Sequence, residues 1–473
     1  MRTYEKLYIN GEWTTPNGKA TSEVINPATN AVTTRVPAGD ESDVDRAVLA
    51  ARAAFPSWSQ TTTKERAELM RALADKLDER KEELEQVMVD ELGMPIQLAD
   101  DYQVSGPIES IRGFANRCEE LDRVEEINNS LIYQEPVGVC AFINPWNYPM
   151  HQMIGKVAPA LAAGCTMVVK AASQTPSHAF IMAEAIHAVG FPAGVFNLVH
   201  GSGRIIGEAM CRHPEVDMVS FTGSTGAGIR IAELAAPSIK RVCQELGGKS
   251  PFIITADADL KTAVEFGVDE VMANSGQTCS ALTRMLVPES RYDEAVEIAQ
   301  KFAEGLCIGD PTDPKSFMGP MSSEDQRQTV LEYIQKGIDE GARLVTGGTQ
   351  RPEGLETGAY VLPTIFADVT NDMVIAREEI FGPVLTMIKY SDEAEAIRIA
   401  NDTEFGLSSA VWAKDKESGL KIARQIRAGQ VYVNGGAYNF DAPFGGYKQS
   451  GNGREWGGHH GLSEFLETKA IQM

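Results

Sequence analysis

The chain has 473 residues, 43% of them hydrophobic and 23% charged, and a formal net charge of −23 at pH 7. Such a length and balance describe a globular protein of two or three large units and exclude disordered, collagen-like and coiled-coil chains. An acidic surface of this strength repels nucleic-acid phosphate and anionic membranes, so neither is an expected partner, although a local site can still bind an anionic cofactor.

The first ten residues lack the apolar core of a signal peptide, and no run of 18 apolar residues follows. The expectation is a soluble cytoplasmic protein. Residues 7–13 and 22–26 read as short strands around the turn pair Asn10-Gly11. Three helices follow. Val44, Ala47, Val48, Ala51 and Phe55 share one face behind Ser42, the expected cap; Leu69, Leu73 and Leu77 form the next stripe; Leu84, Met88 and Leu92 form the third, which stops at Gly93-Met94-Pro95. Residues 118–135 are polar and partly extended.

From residue 137 strands and helices alternate. Strands are expected at 137–143, 166–169, 195–199, 218–221 and 241–246, with helices near 151–163, 177–189, 203–211 and 226–236. That rhythm means a parallel, doubly wound sheet, whose ligands bind beyond the carboxyl ends of the strands. A second α/β unit begins near 250, with strands at 252–254, 285–287, 384–389 and 431–434. Its helices are expected near 258–273, 291–305, 323–341, 392–401 and 416–427. The Gly/Pro-rich stretch 434–453 is too long for a plain connector and suggests function, and the tail after 460 reads as extended.

The strand ends carry the chemistry. Asn147, between Pro145 and Pro149, offers an amide donor of the kind an oxyanion needs, or it stabilises its own turn. Lys170 can bind phosphate or ribose hydroxyls, or be a solvated charge. Gly201-Ser-Gly203-Arg-Ile-Ile-Gly207 misses the G-x-G-x-x-G spacing by one residue and Gly223-Ser224-Thr225-Gly226-Ala227-Gly228 also misses it, yet both place small residues at helix starts, where free N–H groups favour an anion. Glu245 lies 22 residues past Gly223, so a ribose-binding role competes with a catalytic one. Seven cysteines (118, 140, 165, 211, 243, 279 and 307) include no Cys-x-x-Cys. Cys279 is flanked by small and polar residues that suit a reactive thiol, whereas the other six are expected to be buried and inert. No histidine spacing suits a metal, and no serine-hydrolase motif occurs.

Taken together, Pro145-Trp-Asn-Tyr-Pro149, Phe221-Thr-Gly-Ser-Thr225, Glu245-Leu-Gly-Gly-Lys-Ser-Pro251, Gly276-Gln-Thr-Cys279, Glu378-Glu-Ile-Phe-Gly-Pro383 and Pro443-Phe-Gly-Gly-Tyr-Lys-Gln-Ser-Gly451 resemble the aldehyde dehydrogenase superfamily, in its order and over nearly the whole chain. The resemblance implies two doubly wound α/β domains plus a small oligomerisation β-extension. Residues 1–117 and 136–246 would bind the dinucleotide, 247–445 would form the catalytic domain, and 118–135 with 446–473 would form the oligomerisation segment of a homodimer or homotetramer.

It also implies NAD(P)-dependent oxidation of a small-molecule aldehyde to the acid. Cys279 would be the nucleophile, Glu245 the general base and Asn147 the side-chain half of the oxyanion hole. Trp146, Lys170, Ser173, Gln174, Gly203, Gly223, Ser224, Leu246, Glu379 and Phe381 would hold the cofactor, and no metal is implied. Gln174 stands where the family often has Glu, which removes a repulsion against a 2′-phosphate and points to dual NAD or NADP use. Gly155 stands where many members carry a bulky aromatic, so a roomy substrate entrance is expected beside Tyr148, Met150, Gln152, Tyr438 and Phe444. Two alternatives are acyl transfer to coenzyme A, against which Glu245 speaks, and a catalytically silent homologue.

Overall fold

The computed structural model describes residues 1–473, the side chain of Glu119 excepted. Two twisted sheets organise the molecule. The first runs in the order Gly451–Asn452, Arg241–Glu245, Met218–Thr222, Val139–Ile143, Thr166–Lys170, Phe196–Val199, Leu7–Ile9 and Glu12–Thr14. Its five middle strands are parallel, and all but the first two residues of Arg241–Glu245 are buried. A strand covered on both faces must be apolar throughout, and Val139-Cys-Ala-Phe-Ile143 is. Strand order reverses between Val139–Ile143 and Met218–Thr222, which opens a crevice at their carboxyl ends. Apolar clusters fill both faces of this sheet.

The second sheet runs in the order Arg343–Thr346, Thr364–Ala367, Val384–Tyr390, Arg284–Pro288, Pro251–Ile254, Ala410–Trp412 and Tyr432–Val433, and it also has two apolar faces. The link from one sheet to the other is short. Glu245 ends the last parallel strand of the first, and Pro251 begins the second after five buried residues. A third sheet pairs Leu466–Gln472 with Ser130–Pro136 and Glu125–Ile127. No helix among the described residues is long and apolar enough to cross a membrane.

The structure differs from expectation in several places. The first long helix, Glu41–Trp58, is capped by Asp40, not Ser42; Asp40 accepts from the Ser42 and Asp43 N–H groups while Asp43 reaches back to the Asp40 N–H. Helix continues from Ile96 to Arg117, where no periodic stripe announced it, because π-helical turns at Met88–Leu92 and Asp100–Ser105 shift the apolar phase. The segment 446–473 is not one unit. Gly451–Asn452 adds to the first sheet beside Gln244 and Glu245, residues 455–463 pack near the helix Pro149–Ala163, and only Leu466–Gln472 joins the small sheet. Gly451 explains the first of these contacts: with φ +119 it lies so close to the Gln244 carbonyl that no side chain fits. Cys307 is exposed, in contrast to the other expected structural cysteines, because it lies in a surface turn after the helix Tyr292–Glu304.

Candidate active site

Cys279 is presented by a strained turn. After the helix Leu260–Met272, Asn274 (φ 49), Ser275 (φ 55) and Gly276 (φ 73) are all left-handed. Two non-glycine residues in that region cost about 1–3 kcal/mol each, so the surroundings must hold them. They do so through buried hydrogen bonds. Ser275 Oγ donates to the Gly319 carbonyl at 2.8 Å, Asn274 Nδ2 to the Asn147 carbonyl at 3.1 Å, and Gln277 Nε2 to the Asn274 carbonyl at 3.1 Å. The Ser322 N–H donates to Gln277 Oε1 at 2.8 Å. Gly248 packs directly on the Cys279 carbonyl, where no Cβ could stand.

Asn147 belongs to the same network, reached from the end of the strand Val139–Ile143. It is 5% exposed, and its Nδ2 donates to the Gln277 carbonyl at 2.9 Å. An amide NH₂ carries two donors, so one remains for another acceptor beside Cys279. Tyr148 is fixed by its hydroxyl, 2.8 Å from Thr278 Oγ1. Arg284 is not a free cation near the nucleophile: fully buried, it donates to the Lys249, Ile399 and Ala400 carbonyls.

Glu245 is 4% exposed, and neither carboxylate oxygen has a hydrogen-bond partner. Burial, and next the negative Glu455, push its carboxyl well above the usual range; Lys156 and Arg454 act in the opposite sense. Sequence reasoning missed Lys156 and Glu455. Lys156 is fully buried, donates to Thr222 Oγ1 at 2.7 Å and to the Gln152 carbonyl at 3.3 Å, and lies 2.6 Å from Glu455 Oε1. The contact with Glu455 is an ion pair by distance, and neither Glu455 oxygen accepts a directed hydrogen bond. A lone lysine among Met153, Ile154, Val157 and Ala158 was the available signal; Glu455 had none. The half-buried Cys279 thiol is itself pushed up, first by desolvation and then by the negative charge of Glu379 and Glu245.

The crevice of the first sheet gathers most of the remaining predicted residues. Gly223 and Ser224 follow the strand Met218–Thr222, and Ser224 caps the helix Thr225–Ala235 by accepting from the Ala227 N–H at 3.4 Å. Open space surrounds the positions a Cβ would take at Gly203 and Gly226. Lys170 is 4% exposed, donates only to the Ala171 carbonyl at 2.9 Å, and is drawn down to about 8 by burial. Ser173 Oγ reaches the Gly201 carbonyl at 3.5 Å, while Gln174 is exposed. On the facing domain Glu379 accepts from the Gly248 N–H at 3.0 Å. Burial raises its carboxyl to about 7, against the effect of that N–H and of Lys249. Phe381, with φ 58, meets Trp146 edge to face at 5.3 Å, and the buried Leu246 donates its N–H to the Ser450 carbonyl.

The expected roomy entrance is corrected. A Cβ on Gly155 would lie 2.9 Å from Trp456 Cζ2 and 3.2 Å from its Nε1. The fully buried indole fills the space that glycine leaves. Pro443–Phe444 pairs with Glu455–Trp456, which sets the indole in place and buries Phe444. Gln152 is also placed elsewhere than expected: buried in the helix Pro149–Ala163, its Oε1 accepts from Thr222 Oγ1 at 3.3 Å.

Comparison with known proteins follows this geometry. The sequence model of the aldehyde dehydrogenase family matches residues 13–471. A 3-succinoylsemialdehyde-pyridine dehydrogenase from a Pseudomonas species is 47% identical over 100% of this chain and 99% of its own length. Among solved structures, a mutant of Aldehyde Dehydrogenase C from Pseudomonas syringae, complexed with NAD+ and octanal, is 46% identical, with a TM-score of 0.95 over 99% of this chain and 96% of its own. A Mycobacterium tuberculosis aldehyde dehydrogenase complexed with NAD+ is 42% identical, with a TM-score of 0.97 over 100% of this chain and 98% of its own.

Proposed function

Because the chain belongs to the aldehyde dehydrogenase family, and so is an NAD-dependent enzyme that oxidises aldehydes, we propose that Cys279, Glu245 and Asn147 are its reacting residues. What supports this reading is a half-buried thiol on a pinned, strained turn, an amide with a spare donor bonded two residues before it, and a buried carboxyl within electrostatic reach with neither oxygen engaged.

Cys279 Sγ, as the thiolate left once its proton has passed to solvent, adds to the aldehyde carbon, a C–S bond forms, and the carbonyl electron pair moves to oxygen. The spare Asn147 N–H and the Cys279 backbone N–H stabilise that oxyanion. Bound NAD supplies the acceptor for the hydride that leaves this carbon. The carbonyl closes again as a thioester on Cys279. Glu245 then takes a proton from water, whose oxygen adds to the thioester carbon. The C–S bond breaks, its electrons return to sulfur, and the carboxylic acid departs.

The residues present fit a nicotinamide dinucleotide. A helix start with free N–H groups suits the pyrophosphate at Ser224, a buried Lys170 with one weak partner suits ribose hydroxyls, and Glu379 would hold the second ribose. Gly203, Gly223, Ser173, Leu246, Trp146 and Phe381 would complete the cradle. The uncharged, exposed Gln174 supports use of NADP as well as NAD. The sheet of Glu125–Ile127, Ser130–Pro136 and Leu466–Gln472, with Ile127 and Ile471 exposed, supports self-association through its edges.

The test is reduced-nicotinamide absorbance with aliphatic and aromatic aldehydes, with NAD and NADP in parallel. Turnover that vanishes in Cys279→Ala is expected; turnover that survives the substitution overturns the assignment.

A further inference from the structure

One cluster of unpartnered polar atoms takes no part in the proposed chemistry. It lies where two parallel strands of the second sheet begin. Phe252 pairs with Ala410, so Ser250 and Ser408, each two residues earlier, enter those strands side by side. With Lys249 and Arg427 they line a cavity of about 10 Å³. Lys249, Ser250 and Ser408 are 1%, 2% and 1% exposed, and Lys249 Nζ, Ser250 Oγ and Ser408 Oγ have no hydrogen-bond partner. Buried polar groups are normally satisfied, and three orphans around one cavity mark a place that a bound particle completes.

Charge restricts what that particle is. The whole chain carries −23, yet four cations gather here, and none of them forms an ion pair among the described residues. Lys249 and Arg427 line the cavity, Arg284 acts on Lys249, and Arg427 and Arg284 both act on Lys448. Arg284 donates to the Lys249, Ile399 and Ala400 carbonyls, and Lys448 to the Asn401 and Thr403 carbonyls. Lys249 donates to nothing. Burial, and then Arg284, draw its ammonium down to about 7, against the pull of Glu379 and Glu378. Those carboxylates are bonded elsewhere, Glu379 to the Gly248 N–H and Glu378 to the Tyr333 hydroxyl. A buried ammonium is costly unless a countercharge meets it. Water would serve the two hydroxyls and leave the ammonium uncompensated, whereas a single-atom anion accepts from all three groups and brings the charge. The cavity has room for one particle of about the size of a water and is too small for phosphate or sulfate.

We propose that Lys249, Ser250 and Ser408 form a halide site that binds chloride and ties the starts of the strands Pro251–Ile254 and Ala410–Trp412 together. The ion neutralises Lys249 and stabilises the junction through which the chain passes from the first sheet to the second. The site stands apart from the reading of Cys279, Glu245 and Asn147 as the reacting centre.

The test uses bromide as the probe. The full chain and Lys249→Met are crystallised without chloride, soaked in sodium bromide, and measured at the bromine absorption edge. An anomalous peak in contact with Lys249 Nζ is expected in the wild type and absent from Lys249→Met. In solution, urea unfolding is followed in sodium chloride and in sodium gluconate at equal sodium and one subunit concentration. Chloride at ten times its dissociation constant should raise the folded-to-unfolded ratio of the wild type about tenfold over gluconate. Lys249→Met sets the baseline for general salt effects and should show no such excess. No peak in the wild type overturns the proposal and leaves water in the cavity. A peak that persists in Lys249→Met shows an adventitious ion only and overturns it too, as does the same chloride response in both proteins. Should Lys249→Met fail to fold, Ser408→Ala replaces it, with chloride affinity expected to fall about tenfold and an unchanged affinity overturning the site.

Discussion

Substituting Gly155 tests the packing behind the proposed reacting centre, because two effects of known size oppose each other there. Gly155 lies inside the helix Pro149–Ala163, where Ala is favoured over Gly by about 1 kcal/mol. Against that, the new Cβ would lie 2.9 Å, 3.0 Å and 3.2 Å from three atoms of the Trp456 indole. The indole is fully buried and packed by His151 and Phe440, so it cannot swing away freely. Overpacking of this kind costs about 1–3 kcal/mol. Gly155→Ala should therefore destabilise the wild type by about 0–2 kcal/mol, the difference of those two terms. In a Trp456→Leu background the clash is gone, and the same substitution should stabilise by about 1 kcal/mol. Urea-unfolding midpoints of the wild type, both single variants and the double variant, at one subunit concentration, give the coupling between the sites. A coupling of about 1–3 kcal/mol, with a change of sign between backgrounds, is expected for residues in direct contact. The same shift in both backgrounds would refute the claim that the indole occupies the space glycine leaves.

Asn147→Ala removes the spare amide donor and should lower kcat about 10²–10³-fold with a much smaller change in KM, read from steady-state kinetics. Both the Cys279 thiol and the Glu245 carboxyl are held above their ordinary values, so their reactive deprotonated forms accumulate as pH rises. The rate of Cys279 alkylation by iodoacetamide in the cofactor-free enzyme should climb with pH, with its midpoint above the ordinary thiol value of about 8.5; a midpoint below that value would contradict the electrostatics. Gln174→Glu should lower the NADP-to-NAD ratio of kcat/KM by at least about tenfold, through repulsion of the 2′-phosphate by a carboxylate.

What the sequence made legible follows from how far apart the partners are. The five parallel strands of the first sheet could be read because each is a short apolar run bounded by turn residues. The residues at or just past their ends, Asn147, Lys170, Gly223 and Glu245, became candidates once the sheet was recognised, and the family resemblance gave them their roles. The filling of the Gly155 space by Trp456 could not be read, because the two residues are joined only through the pairing of Pro443–Phe444 with Glu455–Trp456. Lys156 was hidden for a related reason. A buried ammonium is tolerable only beside Glu455 and Thr222, and both come from distant elements. The helical stretch 96–117 escaped because two π turns break the 3.6-residue period on which stripe reading depends.

The central claim is that Cys279 carries the substrate as a thioester that Glu245 releases. The direct measurement is mass spectrometry of Glu245→Gln, quenched in acid after mixing with NAD and an aldehyde, and digested to peptides. The account predicts an acyl group on the peptide that contains Cys279, present in Glu245→Gln and absent from Cys279→Ala. No adduct in an enzyme that reduces NAD, or an adduct on any of the other six cysteines, would contradict it.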